Sequence, residues 1–461
     1  MERLIKFTNN FPPYMNDVPE VVRAFYPFIV IDNYADDFLD VECIFSDAEL
    51  EVAIKSSFCE EKRFKMTVIN DSSLEYKKQT KRFVKTKLYE FCKTLTGIKL
   101  PYGSLTGVRP TKMYYDLIGS AGNIKKHIIE TFDVSQERAE LIEEVVNNQA
   151  PIFNYSGEGI DIFVNIPFCP TRCRYCSFIS TEIGRIKKRI PEYVECVSKE
   201  LEEIRNIVER DNLKVRSVYF GGGTPTSLEA DDLRKLLSYV QYGCELTVEA
   251  GRPDSITREK LIALSEMNVT RISINPQTFK QSTLDILGRA HSVEQIYSAY
   301  ALAREFNFDV NMDLIAGLPE ETYEDFVHSV DECIRLNPEN ITVHTLSIKR
   351  GSTLNNENAH KVMDGTVKKM ADYSRKALNS HGYGAYYMYR QKNMADNLEN
   401  VGYAKPGKAC IYNVDYMEET NTILSAGAGA VSKFVYKDEN RIERSCNAKG
   451  FEEYIRRKQQ N

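Results

Sequence analysis

The chain has 461 residues, 42% of them hydrophobic, which is enough for two or three domains with a sizeable buried core. Its 60 basic and 66 acidic residues give a formal net charge of −6. This mild acidity argues against a general affinity for nucleic acid or for an anionic membrane surface.

The N-terminal segment and the cysteines indicate the compartment. The most apolar run near the N-terminus, "AFYPFIVI", is interrupted by Pro27 and is far shorter than a membrane span. Eight of the eleven cysteines are scattered singly, as is usual for reduced thiols and not for a disulfide framework. We therefore expect a cytoplasmic protein with no membrane insertion and no nucleic-acid partner.

Residues 1–150 alternate apolar runs with one long helical pattern at 75–95, which predicts a small α+β extension. Six basic residues in "KKQTKRFVKTK" could form an anion-binding face on this helix, although a solvated surface is the commoner reason for such a run. Residues 147–161 are rich in turn formers and predict the linker to the next domain.

Six short apolar runs follow and alternate with segments of helical periodicity. The runs lie at 161–166, 215–220, 245–250, 271–275, 309–317 and 341–347. Strands that alternate with helices predict parallel βα units, arranged as a partial barrel or an open sheet.

The end of the chain breaks this alternation and predicts a C-terminal α/β region that closes the barrel. The predicted domains are therefore an N-terminal extension at 1–150, a barrel at 155–350 and the closing region at 351–461.

Three cysteines lie close together in "FCPTRCRYCSF", directly after the first predicted strand. Cys169, Cys173 and Cys176 are thus expected at the carboxyl end of a parallel strand, where barrels carry their active sites. Zinc sites usually take four ligands in two pairs, and the sequence has no second pair at matching spacing. Soft thiolates on one loop suit an iron–sulfur cluster better, and three ligands for a 4Fe–4S cube leave one iron open. Three incidental thiols are the weaker alternative.

Glycines and polar residues follow the other predicted strands. "YFGGGTPT" ends the second strand, where glycines allow a close approach to a ligand, although a tight turn alone could also require them. Glu249 ends the third strand and could accept hydrogen bonds from hydroxyl or ammonium groups, with a structural salt bridge as the alternative. Gln277 and Arg289 follow the fourth strand, and Asp313 lies in the fifth. Because all of these positions fall at carboxyl ends of strands, we predict that they form one site.

The Cys-x3-Cys-x2-Cys spacing after the first strand resembles the signature of the radical S-adenosylmethionine (SAM) enzymes. This resemblance implies a 4Fe–4S cluster bound by the three cysteines, with SAM chelating the open iron. The implied fold class is α/β: a radical SAM partial (β/α)6 barrel with an N-terminal α+β extension and a C-terminal α/β region.

A narrower resemblance rests on further motifs. With "GGGTPT", "VEAGRPD", "QTF…LGRAH" and "DLIAGLP", the cysteine loop is similar to the oxygen-independent coproporphyrinogen III dehydrogenase family over about residues 105–433. "SLTGVRPTKMYYDLI" and "AGAGAVSK" are similar to its HemZ-like branch. The resemblance implies one or two bound SAM molecules, and by motif the contacts to SAM fall on Tyr175, Gly222, Gly223, Thr224, Glu249, Gln277, Arg289, Asp313 and Ser347.

The chain departs from this family at three positions near the cysteines. Phe178 stands where the dehydrogenases carry a further Cys, Phe163 replaces their Tyr, and Asn165 replaces their His. An aromatic residue after the cysteines also occurs in relatives that act as haem chaperones. A haem chaperone or haem-binding radical SAM-like protein is therefore an alternative.

The resemblance implies the oxidative decarboxylation of coproporphyrinogen III to protoporphyrinogen IX, without oxygen, in haem and porphyrin biosynthesis. An electron from a donor such as flavodoxin or ferredoxin would cleave SAM, and the resulting radical would take hydrogen from a propionate of the tetrapyrrole. The electron acceptor is unknown. A further alternative is another radical SAM reaction on a tetrapyrrole, such as haem ring opening. Modification of tRNA or protein is disfavoured, because the sequence has neither an extra cysteine cluster nor a strongly basic appended domain.

An aromatic stretch in the C-terminal region, "YGAYYMYRQK", could bind the tetrapyrrole with a flat apolar wall and cations for its propionates. The alternative is that its tyrosines simply pack against the barrel. The residues concerned are Tyr383, Tyr386, Tyr387, Tyr389, Arg390 and Lys392.

Overall fold

The structure is a computed structural model that describes residues 3–11, 16–46, 48–68, 73–107, 109–119, 122–178, 180–347, 352–353, 364–391 and 394–460. The chain divides into two compact units. The first comprises Met1–Glu143 and Arg390–Leu398, and the second comprises Glu144–Tyr389 and Glu399–Asn461.

The described part of the first unit contains a five-stranded sheet in the order β2-β1-β3-β4-β5. Strand β1 pairs in parallel with β2 and β3, and the other pairs are antiparallel. The strands are β1 (Arg3–Asn9), β2 (Ile29–Ile31), β3 (Phe38–Phe45), β4 (Glu49–Ser56) and β5 (Cys59–Thr67). The helices are α1 (Pro19–Arg23), α2 (Leu74–Thr96), α3 (Pro110–Leu117), α4 (Ile124–Phe132) and α5 (Gln136–Gln149), which continues into the second unit.

Helix α2 is the long helix that the sequence predicts. The Ser73 hydroxyl caps its N-terminus by accepting a hydrogen bond from the N–H of Tyr76 (3.0 Å), and Gly97 ends it in the left-handed conformation. Several of its basic side chains pair with carboxylates, as in the contact of Lys93 with Asp133 (2.6 Å). These pairs favour a solvated, ion-paired surface over an anion-binding face.

Among the described residues, the second unit is built on one eleven-stranded sheet, in the order β14-β15-β13-β12-β11-β10-β9-β6-β16-β17-β18. The strands from β13 to β16 in that order are all parallel, and the outer pairs are antiparallel. The six predicted runs are confirmed as β6 (Ile160–Ile166), β9 (Val215–Gly222), β10 (Glu245–Glu249), β11 (Arg271–Ser273), β12 (Asp309–Ala316) and β13 (Asn340–Thr345). Two short strands follow β6 in sequence and pair with each other in parallel as a separate two-stranded sheet: β7 (Phe168–Cys169) and β8 (Thr181–Glu182).

Strands from the predicted closing region enter this same sheet on both sides of the six. Strand β16 pairs in parallel with β6, and β15 pairs antiparallel with β13. The result is one sheet with seven consecutive parallel strands, as the predicted partial barrel requires, widened on both sides by strands from residues 384–446. The added strands are β14 (Gly384–Tyr389), β15 (Asn400–Ala404), β16 (Thr422–Ala426), β17 (Val431–Tyr436) and β18 (Arg441–Cys446).

Helices connect the parallel strands and cover the sheet. In α6 the buried residues recur every three or four positions, from Tyr193 through Val197 and Leu201 to Val208, so one face of the helix packs inward. No helix in the described ranges is long and apolar enough to cross a membrane. The helices are α6 (Ile190–Arg210), α7 (Ala230–Leu237), α8 (Arg258–Glu266), α9 (Gln281–Ile286), α10 (Val293–Ala303), α11 (Tyr323–Leu336), α12 (Thr366–Ser380), α13 (Ile411–Glu418) and α14 (Phe451–Gln460).

Candidate active site

The cysteine loop begins where β6 ends and is tied by backbone hydrogen bonds to the glycine motif after β9. The N–H of Gly223 donates to the carbonyl of Ile166 (2.9 Å), and the N–H of Thr224 donates to the carbonyl of Phe168 (2.7 Å). A Cβ atom added to Gly223 would lie 2.6 Å from the Phe168 carbonyl oxygen. Glycine is therefore required here so that the motif can lie against the cysteine loop.

The three thiols lie at the carboxyl edge of the sheet. Cys173 is buried, whereas Cys169 and Cys176 are half-buried, and the Thr224 hydroxyl donates to the Cys169 sulfur (3.6 Å). Burial is the main cause that raises the pKa of Cys176; the backbone of Phe178 opposes it, and the charges of the other two cysteines add to it. The N–H of Cys176 donates to the Cys173 carbonyl (3.1 Å), so these two residues are held together in one turn.

The thiols have the ligand chemistry of an iron–sulfur cluster, whose irons bind soft thiolates. In the part of the chain that the structure describes, no three His, Cys, Asp or Glu side chains converge on one metal position. A 4Fe–4S cube does not need such convergence, because each thiolate binds a different iron. Cys169, Cys173 and Cys176 therefore stay the predicted cluster ligands.

Two buried arginines approach Cys173. Nη1 of Arg252 and Nη1 of Arg289 each lie 3.9 Å from its sulfur. Arg289 also donates to the Tyr175 hydroxyl (2.9 Å) and to the backbone carbonyls of Gly251 (3.0 Å) and Asn275 (2.7 Å). Thus the predicted site residues Tyr175 and Arg289 are brought together with the cysteine loop, and two guanidinium groups lie beside Cys173.

Some polar atoms beside these arginines have no partner. Oδ1 of Asn275 and Nε of Arg289 are buried without a hydrogen bond among the described residues. Buried polar atoms seldom lack a hydrogen-bond partner, and a polar ligand would provide one for each of these atoms. The surroundings therefore fit a polar molecule such as the predicted SAM.

Glu249 lies across from the glycine motif, at the end of β10. Its carboxylate accepts a hydrogen bond from the Tyr219 hydroxyl (2.7 Å), and a Cβ atom on Gly221 would lie 3.2 Å from it. Burial raises the pKa of this carboxyl to about 7, against the opposing effect of the Tyr219 hydrogen bond. The alternative of a salt-bridged Glu249 is not what the structure shows, because its partner is a phenol.

Gln277 and Asp313 are neighbours through their backbones. The N–H of Gln277 donates to the Asp313 carbonyl (2.9 Å), and Gln277 has a positive φ of 69°. The Asp313 carboxylate accepts from the Asn311 amide (2.7 Å) and lies 3.7 Å from Nε2 of His344. Nδ1 of His344 lies 3.5 Å from the Tyr389 hydroxyl. Asp313 is therefore the start of a polar chain that the sequence did not predict.

Ser347 follows the end of β13 and is half-buried. The nearby aromatic stretch mostly packs: Tyr383, Tyr386 and Tyr387 are buried, and the Tyr383 hydroxyl donates to the Pro338 carbonyl (2.7 Å). This packing favours the alternative of a structural role for these tyrosines. Arg390 belongs to the first unit, and Lys392 lies outside the described residues.

The three departures from the dehydrogenases have different environments. The Asn165 amide donates to the carbonyl of Ala428, so it holds the turn after β16. Phe163 stacks on Tyr412 with ring centroids 6.0 Å apart. Phe178 is 66% exposed.

Three residues of this region were missed by sequence reasoning: Tyr219, Arg252 and His344. Tyr219 lies in the motif "YFGGGTPT" and Arg252 in the motif "VEAGRPD". The available signal was their position one or two residues from the predicted strand ends, at 220 for Tyr219 and at 250 for Arg252. His344 lies in a predicted strand with no motif around it, so its contact with Asp313 could only come from the pairing of β12 with β13.

Comparisons with known proteins agree with this geometry. The sequence profile of the Radical SAM superfamily matches residues 164–333. The chain is 38% identical over 396 residues to the oxygen-independent coproporphyrinogen-III oxidase-like protein HemZ of Bacillus subtilis, covering 82% of this chain and 79% of HemZ. It is 28% identical over 280 residues to the heme chaperone HemW of Bacillus subtilis, covering 58% of this chain and 69% of HemW.

A solved structure with a similar fold is that of the coproporphyrinogen III oxidase HemN from Escherichia coli, a radical SAM enzyme. The TM-score is 0.53 at 19% identity, over 68% of this chain and 72% of HemN. A partial parallel barrel with a three-cysteine loop at its carboxyl edge defines the class of radical SAM proteins. The chain belongs to the radical SAM superfamily and, within it, to the HemZ-like branch of the oxygen-independent coproporphyrinogen III dehydrogenase family.

Proposed function

We propose that this protein is a radical SAM enzyme that oxidatively decarboxylates coproporphyrinogen III to protoporphyrinogen IX without oxygen. The observation that carries the proposal is the cysteine loop fixed against the glycine motif, with Glu249 opposite, in a chain 38% identical to HemZ. The substrate class is a tetrapyrrole, and the electron would come from a small carrier such as flavodoxin or ferredoxin.

Cys169, Cys173 and Cys176 would hold the 4Fe–4S cluster. One or two SAM molecules would bind the residues that the family motifs mark, which are Tyr175, Gly222, Gly223, Thr224, Glu249, Gln277, Arg289, Asp313 and Ser347. When bound, the cluster and SAM supply the radical that removes hydrogen from carbon.

The chain's own residues position these groups and keep water out. The guanidinium groups of Arg252 and Arg289 hold positive charge beside the Cys173 thiolate. Tyr175 packs on Leu287, Ile315 and other apolar side chains, which form a dry wall beside the loop. Glu249, with its pKa raised to about 7, can hold or release a proton near neutral pH.

The test is anaerobic reconstitution of the cluster, followed by addition of SAM, a one-electron reductant and coproporphyrinogen III. Mass spectrometry would follow the tetrapyrrole and 5′-deoxyadenosine. We expect the loss of two carbon dioxide molecules from the tetrapyrrole with matching deoxyadenosine. The variant Cys173→Ser should lose both products, and the control Cys446→Ser, at an exposed thiol in β18, should keep them. Cleavage of SAM with an unchanged tetrapyrrole would contradict the proposal.

A second candidate function is a haem chaperone. It is favoured by the 66% exposed Phe178, which stands where the dehydrogenases carry a cysteine, and by the similarity to HemW. Stable haem binding by the purified protein, with no consumption of coproporphyrinogen III, would support this function over the dehydrogenase. If the exposed ring of Phe178 contacts haem, the variant Phe178→Cys should bind haem more weakly. If the ring has no part in binding, the variant should bind haem as the wild type does.

A further inference from the structure

Arg252 is a cation that the fold holds deep beside one cysteine of the loop. It is only 3% exposed, and its guanidinium makes two hydrogen bonds to the Asp254 carboxylate, at 2.8 and 2.7 Å. The remaining nitrogen, Nη1, donates to the carbonyl (3.2 Å) and hydroxyl (3.1 Å) of Thr171 and lies 3.9 Å from the Cys173 sulfur. Every contact of this side chain therefore either fixes its orientation or faces the cysteine loop.

The bidentate pair with Asp254 decides where the charge points. A planar guanidinium held on one side by a carboxylate presents its other edge in a fixed direction, which a lysine cannot do. That free edge is directed at the loop between Thr171 and Cys173. The arrangement is built to place a hydrogen-bond donor and a positive charge on one particular thiolate.

Positive charge near an iron–sulfur cluster favours the state with the extra electron. Reduction adds one electron to the cluster and lowers its charge by one, with no bond in the protein formed or broken. Hydrogen bonds to the cysteine sulfurs and the local charge are among the factors that set such potentials. Screening by water is weak at this buried position, so the part of the charge that the Asp254 carboxylate does not offset acts on the nearby sulfur.

We infer that Arg252 is a positioning residue that raises the reduction potential of the cluster through the Cys173 ligand and so makes it easier for a one-electron donor to reduce. This inference rests on the proposed function only for the presence of the cluster on the three cysteines. It assigns a role to a residue outside the predicted SAM contacts. Arg289 also approaches Cys173, but its other hydrogen bonds go to Tyr175 and to two backbone carbonyls, so it is committed to joining several segments of the site.

The experiment measures the potential of the reconstituted holoprotein by a redox titration followed by electron paramagnetic resonance, with iron content measured in parallel. Arg252→Gln removes the charge and should lower the potential, so that the reduced-to-oxidised ratio at a fixed solution potential falls about tenfold, which is about 59 mV for a one-electron couple. Arg252→Lys retains the charge but not the directed donor, so its potential should lie between those of Arg252→Gln and the wild type.

A second variant keeps the test decisive if Arg252→Gln fails to retain the cluster. Asp254→Asn leaves Arg252 in place and removes the carboxylate that compensates it, so the potential should rise above that of the wild type. Shifts of opposite sign in the two variants would not arise from a loosened loop. The matched control is Arg216→Gln, which removes a partly buried arginine paired with Asp415 (2.9 Å) near the start of β9 and should leave the potential unchanged.

The outcomes separate the two ideas. If the wild-type chain binds no cluster, the proposed function fails. If the cluster forms but Arg252→Gln leaves its potential unchanged, or shifts it no differently from Arg252→Lys, the role of Arg252 is wrong and the proposed function stands. A potential that falls or stays constant in Asp254→Asn also overturns the inference.

Discussion

The carboxyl group of Glu249 is held where ionisation is costly. Its ordinary pKa is 4.5, and burial raises the pKa to about 7 in the folded chain, so the folded state binds this proton more tightly than the unfolded state. The ionised carboxylate is disfavoured in the folded state, so it lowers the free energy of unfolding most strongly above pH 7. This penalty shrinks as the pH falls from about 7 and disappears below the ordinary pKa of 4.5.

We therefore predict that Glu249→Gln is more stable than the wild type at pH 8, by about 2 kcal/mol, and that this advantage shrinks to less than about 1 kcal/mol at pH 5. Gln keeps an acceptor for the Tyr219 hydroxyl and carries no charge. Urea unfolding at both pH values measures the difference. The exposed control Glu202→Gln should change stability by less than about 0.5 kcal/mol at either pH, and an equal gain for Glu249→Gln at both pH values would contradict the prediction.

For single residues, the motifs in the sequence predict which residues belong to the site, but not which side chains they contact. The three cysteines and Glu249 could be placed after or at strand ends because apolar runs mark where strands stop, whereas Asp313 lies inside β12 (Asp309–Ala316). The approach of Arg252 to Cys173 could not be predicted, since it depends on the direction of a side chain about eighty residues further along the chain. The exposure of Phe178 is likewise a property of the loop's path and not of its composition.

The helix α6 and the C-terminal helix α14 are joined by one buried carboxylate, Glu200. It accepts hydrogen bonds from the backbone N–H of Gly427 (2.8 Å), the Tyr454 hydroxyl (2.5 Å) and the Asn447 amide (2.9 Å), and it pairs with Lys458 (2.7 Å). One side chain thus holds together the end of β16, the segment after β18 and α14.

We predict that Glu200→Ala lowers the free energy of unfolding by about 3 kcal/mol, because it leaves several buried donors without an acceptor. Glu202→Ala on the same helix removes only an exposed contact with Arg205 (3.5 Å) and should cost less than about 1 kcal/mol. Urea unfolding followed by circular dichroism measures both. Equal costs for the two variants would show that the hydrogen bonds of Glu200 contribute little.

The glycine motif offers a second test at the level of elements. In Gly223→Ala the new methyl group would meet the Phe168 carbonyl at 2.6 Å, and backbone cannot yield as a flexible side chain can. We predict a loss of stability of roughly 1–3 kcal/mol and a large fall in iron bound after reconstitution. Gly184→Ala is the control, since nothing lies within 4 Å of its added Cβ, and it should retain its iron. Full iron content in Gly223→Ala would contradict the role given to this contact.

The six central strands were predictable because parallel strands buried on both faces read as continuous apolar runs. The entry of β16 beside β6 was not, because the two strands are separated by more than 250 residues and either order of strands satisfies the same apolar pattern. Asn165 illustrates the consequence: its side chain bonds to Ala428, a partner that only this strand order creates.

The two units of the molecule contribute differently to the predicted site. All predicted ligands and SAM contacts belong to the second unit, whereas Arg390 and Asn397 bond to the carbonyls of Leu105 (2.5 Å) and Ala24 (2.6 Å) within the first. The first unit thus includes residues 390–398, although in sequence this segment lies between two stretches of the second unit.

We predict that a chain of residues 135–461, which keeps α5 intact, binds as much iron as the full chain after reconstitution. The segment 390–398 loses its hydrogen bonds to Leu105 and Ala24 in this shortened chain, so trypsin should cut after Arg390 faster than in the full protein. Iron analysis and timed digestion measure the two effects, with the full chain as the control. A folded fragment that binds no iron would show that the first unit is needed to form the cluster site.

The position of β16 also sets the order in which the protein can be completed during synthesis. The cysteine loop leaves the ribosome early, but β6 beneath it has an open edge until residues 422–426 emerge and pair with it. We therefore expect the cluster to be inserted only after residues 422–426 have emerged and paired with β6. A chain that stalls before that point would present free thiols beside an unpaired strand, a form open to oxidation and aggregation in the cell.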